Sequence, residues 1–170
     1  MTDTRISIRS AREEEAAALA ALHARTRTAY YTAGGVPPEE LASAERISAY
    51  WERAVAEGRA QVAATPEDRV VGFVMDGPPK FDDLDAASVR ELQQIGVEPN
   101  GRGRGVGSLL QEAFARRLQA DGLTDGVLEC WEANARAQAF YARHGWRPDG
   151  SRRTGPLGHD YVRLRMTVPI

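Results

Sequence analysis

Lysine is almost missing from this chain. Lys80 stands alone beside 21 arginines among the 22 basic residues of a 170-residue sequence. Cysteine is as scarce: Cys130 is the only one, which excludes an intramolecular disulfide and a cysteine-based zinc site. No apolar run reaches the roughly 18 residues that a membrane helix needs. The opening Met1-Thr2-Asp3-Thr4-Arg5 lacks the apolar stretch of a secretory leader. A surplus of charge is lacking too. Twenty-two cations against 24 anions leave a net charge of −2, which argues against a protein that wraps nucleic acid or clings to a membrane through a polybasic surface. The expectation is a cytoplasmic protein in a reducing compartment, with no nucleic-acid partner and no membrane partner. The shared abundance of Ala, Gly and Arg reads as coding bias.

What is present fits one globular domain over 1–170. Apolar residues make up 42% and charged residues 27%, and the length suffices to bury a core without staples. Ile6 and Ile8 alternate with polar neighbours over Thr4 to Arg9, which predicts a strand. Ser10-Ala11-Arg12-Glu13 reads as a capping box for an Ala-rich helix with Ala18, Leu19 and Leu22 on one face. Gly34 to Pro38 breaks the chain, and a second helix is predicted over 39–57. Its stripe is Leu41, Ala44, Ile47, Trp51, Ala54 and Val55. Gln61 to Thr65 and Val70 to Met75 predict a hairpin. A polar loop runs from Gly77 to Ala87, then a fourth strand from Ser88 to Val97. A helix with Leu109, Leu110, Ala113, Phe114 and Leu118 inward follows a glycine-dense loop. Val127 to Trp131 predicts a strand, Ala135 to His144 a helix closed by Gly145, and Tyr161 to Val168 a last strand. An extra strand is open near Trp146 to Arg152. The fold class is α/β (α+β).

Asn100-Gly101-Arg102-Gly103-Arg104-Gly105-Val106-Gly107-Ser108 is the most informative stretch. Glycines permit positive φ and close approach of a ligand, and the helix that follows offers unpaired amides at a positive dipole end. Such a loop suits a phosphate. A Walker loop would need a Lys-Ser/Thr pair, which Val106-Gly107-Ser108 does not supply. A Rossmann loop fails because its third glycine would fall on Val106, Ser108 or Leu110. A ligand-free glycine turn is the plain alternative.

With those residues in view, the sequence resembles the GCN5-related N-acetyltransferase (GNAT) family. That family carries Arg or Gln, then x-x-Gly-x-Gly/Ala, after its fourth strand; here this is Arg102 to Gly107. The preceding Leu92-Gln93-Gln94-Ile95-Gly96-Val97-Glu98-Pro99 is similar to the family's L-x-x-I-x-V-x-P strand. Asn134, Phe140-Tyr141 and Gly145-Trp146 follow in the family's order. The resemblance covers about Val70 to Met166. It implies a mixed, splayed central sheet flanked by helices, with acetyl-CoA as co-substrate, no metal, and a small-molecule or peptide amine as acceptor. By the same resemblance the amides of Arg102, Gly103, Arg104, Gly105, Val106, Gly107 and Ser108 hold the pyrophosphate. The backbone of Ile95, Gly96 and Val97 meets the pantetheine arm and thioester, and Asn134 touches the cofactor further along. A homodimer is suggested by analogy alone.

The implied reaction is direct attack by a primary amine on a thioester. An alkylammonium has a pKa of about 10.4, so a base must take its proton. Glu91, early in the fourth strand, and Glu129, in the fifth, both fit that role, singly or together; a solvated strand carboxylate is the plain alternative for each. A strand bulge near Gly96-Val97 is expected to supply an amide to the oxyanion. Tyr141, seven residues after Asn134, is the candidate acid for the leaving thiolate; its alternative is a packed tyrosine beside Phe140. Cys130 reads as a core thiol. His23, His144 and His159 lack metal-ligand spacing. Trp51, Tyr30 and Tyr31 read as packing or capping residues in preference to an acceptor wall. Arg102 and Arg104, with Arg136 and Arg143, predict a basic stripe along one cleft. Three other readings stay open: the same fold with a longer acyl-CoA, a non-catalytic acyl-CoA sensor, and a nucleotide-binding protein.

Overall fold

Alternating side chains on the central strands point to opposite faces, and each face meets its own helices. The computed structural model describes residues 5–41 and 44–169, the side chains of 44–46 excepted. Its elements are β1 (Ser7–Ser10), α1 (Ala16–Thr32), α2 (Ala44–Ala56), β2 (Ala60–Ala64), β3 (Val70–Gly77), β4 (Val89–Val97), α3 (Val106–Ala120), β5 (Asp125–Trp131), α4 (Ala135–Arg143), β6 (Arg147–Arg153) and β7 (Tyr161–Thr167). The strands form one sheet in the order β1-β2-β3-β4-β5-β7-β6. All neighbours are antiparallel except β4 and β5.

Val62, Phe73 and Met75 turn to one face and bury Leu19, Leu22, Trp51 and Ala54 of α1 and α2. Ala63 and Val74 turn to the other and meet Leu110, Phe114 and Leu118 of α3. Burying a side chain the size of Leu or Phe is worth about 1.5–3 kcal/mol, so these two clusters fix which face each helix covers.

Several local expectations shift. The capping box forms two residues later than Ser10. The Arg12 N–H donates to Glu15 at 2.7 Å, and Arg9 holds the same carboxylate with two bonds of 2.8 Å. Ser10 stays in β1, opposite Gln61. Ala18 faces solvent and Leu109 is only half-buried, while Leu19 and Leu110 carry the packing of their helices. Leu41 lies before α2, because Pro37 and Pro38 open a separate short turn. The Ala44 side chain lies outside the described residues. The edge strand β6 is present, and its pairing with β7 slips between Pro148 and Arg152.

Candidate active site

The site grows from a short junction. β4 and β5 pair at Val89–Asp125, Arg90–Gly126 and Glu91–Val127, and then part. From Leu92 to Val97, β4 keeps β3 on one side and, among the described residues, has no strand on the other. Met75 pairs with Gln94 and Asp76 with Leu92, which makes Gln93 the extra residue of a bulge. The bulge thus lies three residues before Gly96, which pairs regularly with Phe73. Its side chain is held across the strand: Arg59 donates to Gln93 Oε1 at 2.9 Å, and Gln93 Nε2 sits on Gly77, where a Cβ would meet it at 2.6 Å. The opening is spanned by α1. The Tyr30 hydroxyl accepts from the Trp131 N–H of β5 at 2.8 Å. A cavity of about 530 Å³ occupies the V, walled by Tyr31, Ile95, Gly96, Arg102, Glu129 and Tyr141 among others.

At one end of this cleft the chain turns through Gly103 and Gly105, both left-handed, with φ of 84° and 79°. α3 then starts at Val106 with no side chain capping it, so its first amides are left for a ligand. The Gly107 backbone lies against Phe140, where a Cβ would meet the ring at 3.1 Å. The Ser108 hydroxyl is hydrogen-bonded to His144 Nε2 at 3.0 Å. Arg102 is held below its ordinary pKa by burial and by the charge of Arg136, so two cations of the expected stripe act on each other. The residues therefore suit a pyrophosphate. Gly105→Val is expected to weaken CoA binding at least several-fold, because a β-branched residue at that φ costs on the order of 1–2 kcal/mol or more. Isothermal titration with CoA measures it; unchanged affinity would count against the loop.

The two carboxylates differ in kind. Glu91 is 3% exposed, and Lys80 covers it with its main-chain N–H at 3.0 Å and its Nζ at 3.5 Å. Burial pushes the Glu91 carboxyl above its ordinary range, and Lys80 offsets only part of that. Glu129 lines the cavity itself. Burial pushes it up as well, but two hydrogen bonds from Arg153 (2.7 and 3.0 Å) and the Lys80 ammonium at 2.9 Å outweigh it and hold the carboxyl below the usual range. Tyr141 comes from α4, buried at 8% exposure and facing the cavity. Burial, then Cys130, raises its hydroxyl above the ordinary tyrosine value, which keeps it protonated. Cys130 is fully buried, with its thiol pushed up to about 11 by burial. That is a core thiol.

Asn134 caps α4. Its Oδ1 accepts from the Ala137 N–H at 2.9 Å and its Nδ2 donates to the Tyr30 carbonyl at 3.1 Å. Asn134→Ala is expected to lower stability by about 1–2 kcal/mol through loss of the cap. Urea unfolding reads this as a lower midpoint, and no change would show that the cap is idle.

Composition and periodicity missed five residues here. Trp51 is core, as expected, but Tyr30 and Tyr31 line the cleft. His23 lines it too. Its Nδ1 accepts the Trp51 indole N–H at 2.9 Å, and burial, then Arg27, lowers its pKa to about 4, so the ring is neutral at neutral pH. Arg27 stacks over Tyr31 at 5.0 Å and keeps a buried NH1 with no hydrogen-bond partner. Lys80, in the polar loop, reaches into the same cavity. The only sequence signal for Lys80 was its solitude.

A trough edged by an unpaired strand and ending at an uncapped helix start is what a pantetheine arm and pyrophosphate require. The acetyltransferase (GNAT) family profile matches residues 18–146. The chain belongs to the GNAT acetyltransferase family. It is 31% identical over 108 residues to the peptidyl-lysine N-acetyltransferase YjaB of Salmonella typhimurium, a match spanning 64% of this chain and 63% of that relative. Among solved structures, the GNAT chain resembles the PaiA N-acetyltransferase of Thermoplasma acidophilum in complex with coenzyme A. The TM-score is 0.73 at 17% identity, covering 96% of this chain and 99% of that one. It also resembles yncA of Salmonella typhimurium with acetyl-CoA, with a TM-score of 0.72 at 16% identity, covering 98% and 96%. At such identities the likeness shows the shared fold. Acetyl transfer is the activity of the family, and among the described residues no helix is long and apolar enough to cross a membrane.

Proposed function

We propose that residues 1–170 act as one cytoplasmic acetyl-CoA-dependent N-acetyltransferase domain that moves the acetyl group to a primary amine by direct attack. The observation that carries this reading is the free β4 edge from Leu92 to Val97, running to the uncapped start of α3. Acetyl-CoA supplies the activated thioester. The backbone of Ile95, Gly96 and Val97 pairs with the pantetheine arm, and the amides of Arg102 to Ser108 take the pyrophosphate. Arg102 and Arg136 add positive charge. Asn134 serves by position: it fixes the start of α4 and ties it to α1. Backbone amides freed by the Gln93 bulge face the oxyanion. Glu91, its affinity for a proton raised by burial, accepts the amine proton through water; Glu129 orients the amine; Tyr141 protonates the departing thiolate.

The acceptor is a small-molecule or peptide amine, and the peptidyl-lysine activity of the relative favours the peptide form. The test measures thiol release from acetyl-CoA across a panel of amines and lysine peptides, beside the thermal shift with CoA. Release with at least one amine is expected. CoA binding with no turnover would point to an acyl-CoA sensor. Faster release from a longer acyl-CoA would reassign the donor. A shift with ATP and none with CoA would sink the reading.

A further inference from the structure

Lys80 is the chain's only lysine, and its side chain lines the cleft proposed for acyl transfer. Its Nζ is 2.9 Å from Glu129 Oε1 and 3.5 Å from Glu91 Oε1, the first placed to orient the amine and the second to receive its proton. The same side chain lines the cavity with Ile95, Gly96 and Tyr141. Its main chain is held in place. The Lys80 N–H donates to Glu91 Oε2 at 3.0 Å, and the next ring, Phe81, lies under the Arg163 guanidinium at 4.9 Å. Arg163 is itself clamped to Asp83 by bonds of 2.8 and 2.7 Å and to Asp149 at 2.6 Å. The loop is thereby pinned to β7, while the Lys80 side chain, held only by its ion pairs and the Phe81 ring, remains 56% exposed.

A purely structural cation is less needed than it first seems. Glu129 already has a bidentate partner in Arg153. An arginine, abundant everywhere else in the chain, would serve an ion pair equally well and could not be acylated at neutral pH. The one primary side-chain amine of the protein instead sits in the acyl-transfer cleft.

We propose that Lys80 is a self-acetylation site, modified within one molecule by the enzyme's own acetyl-CoA; this rests on the reading given under Proposed function. The Lys80 ammonium gives a proton to Glu91, and the free amine attacks the thioester carbonyl carbon. The N–C bond forms and the C–S bond breaks. The second nitrogen proton leaves the tetrahedral intermediate for the carboxylates and solvent, and the thiolate leaves with the Tyr141 proton, later restored from solvent. Overall, ammonium and acetyl-CoA give the amide, CoA thiol and one proton, with no change in oxidation state. Acetyl-Lys80 is neutral, so both ion pairs of the amine are lost, and its amide stands in the mouth that an outside amine would enter. Holding amine and bases in one site makes the step effectively unimolecular.

The test incubates the full chain with acetyl-CoA and no amine, followed by intact mass and peptide mapping. One added acetyl group on Lys80, and loss of tryptic cleavage there, are expected. The rate should be unchanged on tenfold dilution of the protein, and should fall at least about tenfold in Tyr141→Phe and in urea-unfolded chain. Lys80→Arg should abolish the mass gain. Label on the N-terminus alone, or a Lys80 rate equal in folded and unfolded chain, would overturn the proposal. So would a rate that scales with protein concentration. If CoA binds and outside amines turn over while Lys80 stays unmodified, this inference alone falls. If CoA does not bind, the proposed function falls with it.

Discussion

Tyr141→Phe is expected to lower kcat by about 10²-fold or more while leaving CoA affinity and thermal stability close to those of the parent protein. Tyr141 lines the cavity, and its ring is packed against Phe140 and Trp146. Phenylalanine keeps that ring and its packing. No hydrogen bond to another described residue is lost, so no buried partner is stranded. Burial holds the phenol above its ordinary pKa, so it stays protonated at neutral pH and is available as a donor. Its hydrogen bond to sulfur strengthens only as charge builds up there during C–S cleavage, which is why the loss should appear in kcat and not in binding. Steady-state kinetics with CoA titration separates the two. If kcat survives, the thiolate takes its proton elsewhere and Tyr141 is only a packed ring.

Glu91→Gln is expected to lower kcat/KM by about 10²-fold and to remove the acid limb of its pH profile. Burial lifts the Glu91 carboxyl above its ordinary range. The base form therefore fills only as pH rises through that elevated value, and the parent rate should climb across the same interval. Glu129 lies below the ordinary range, so it is already ionised there. Glu129→Gln should raise KM and leave the limb in place. The reverse pattern, with the limb kept in the Glu91 variant and lost in the Glu129 variant, would exchange the two roles. The small size of the Glu91 opening adds a constraint: with the side chain 4% exposed, its proton has to arrive by way of water or Lys80.

How much of this could be read from the residues depends on where the information sits. The strands and helices follow local periods and breakers, so β1 to β5 and β7 were readable in order, with β6 left open, and so was the glycine-dense loop before α3. The Gln93 bulge was not, because the partners of its side chain, Gly77 and Arg59, lie on other segments. α1 was half readable. Leu19 and Leu22 mark its core face, but His23 and Thr26 are buried polar groups turned to the cleft, and they blur the apolar stripe. Lys80 was legible only as a rarity. Its place between Glu91 and Glu129 arises from the clamp of Arg163 on Asp83 and Asp149, a contact between residues up to 80 positions apart. The contrast between the carboxylates was equally hidden, since Arg153 reaches Glu129 from 24 positions away.

The slipped register of β6 also bears on how copies of this protein can meet. An outermost strand offers a row of unsatisfied amides and carbonyls to any passing chain. Here that strand carries Pro148, a left-handed Gly150 within the slip, and arginines at 147, 152 and 153. The opposite margin, β1, is four residues long. Both margins are thus poor templates for edge-to-edge growth. Edge-to-edge pairing of two copies is thereby disfavoured, and the same two blunted margins work against fibrous association at high protein concentration.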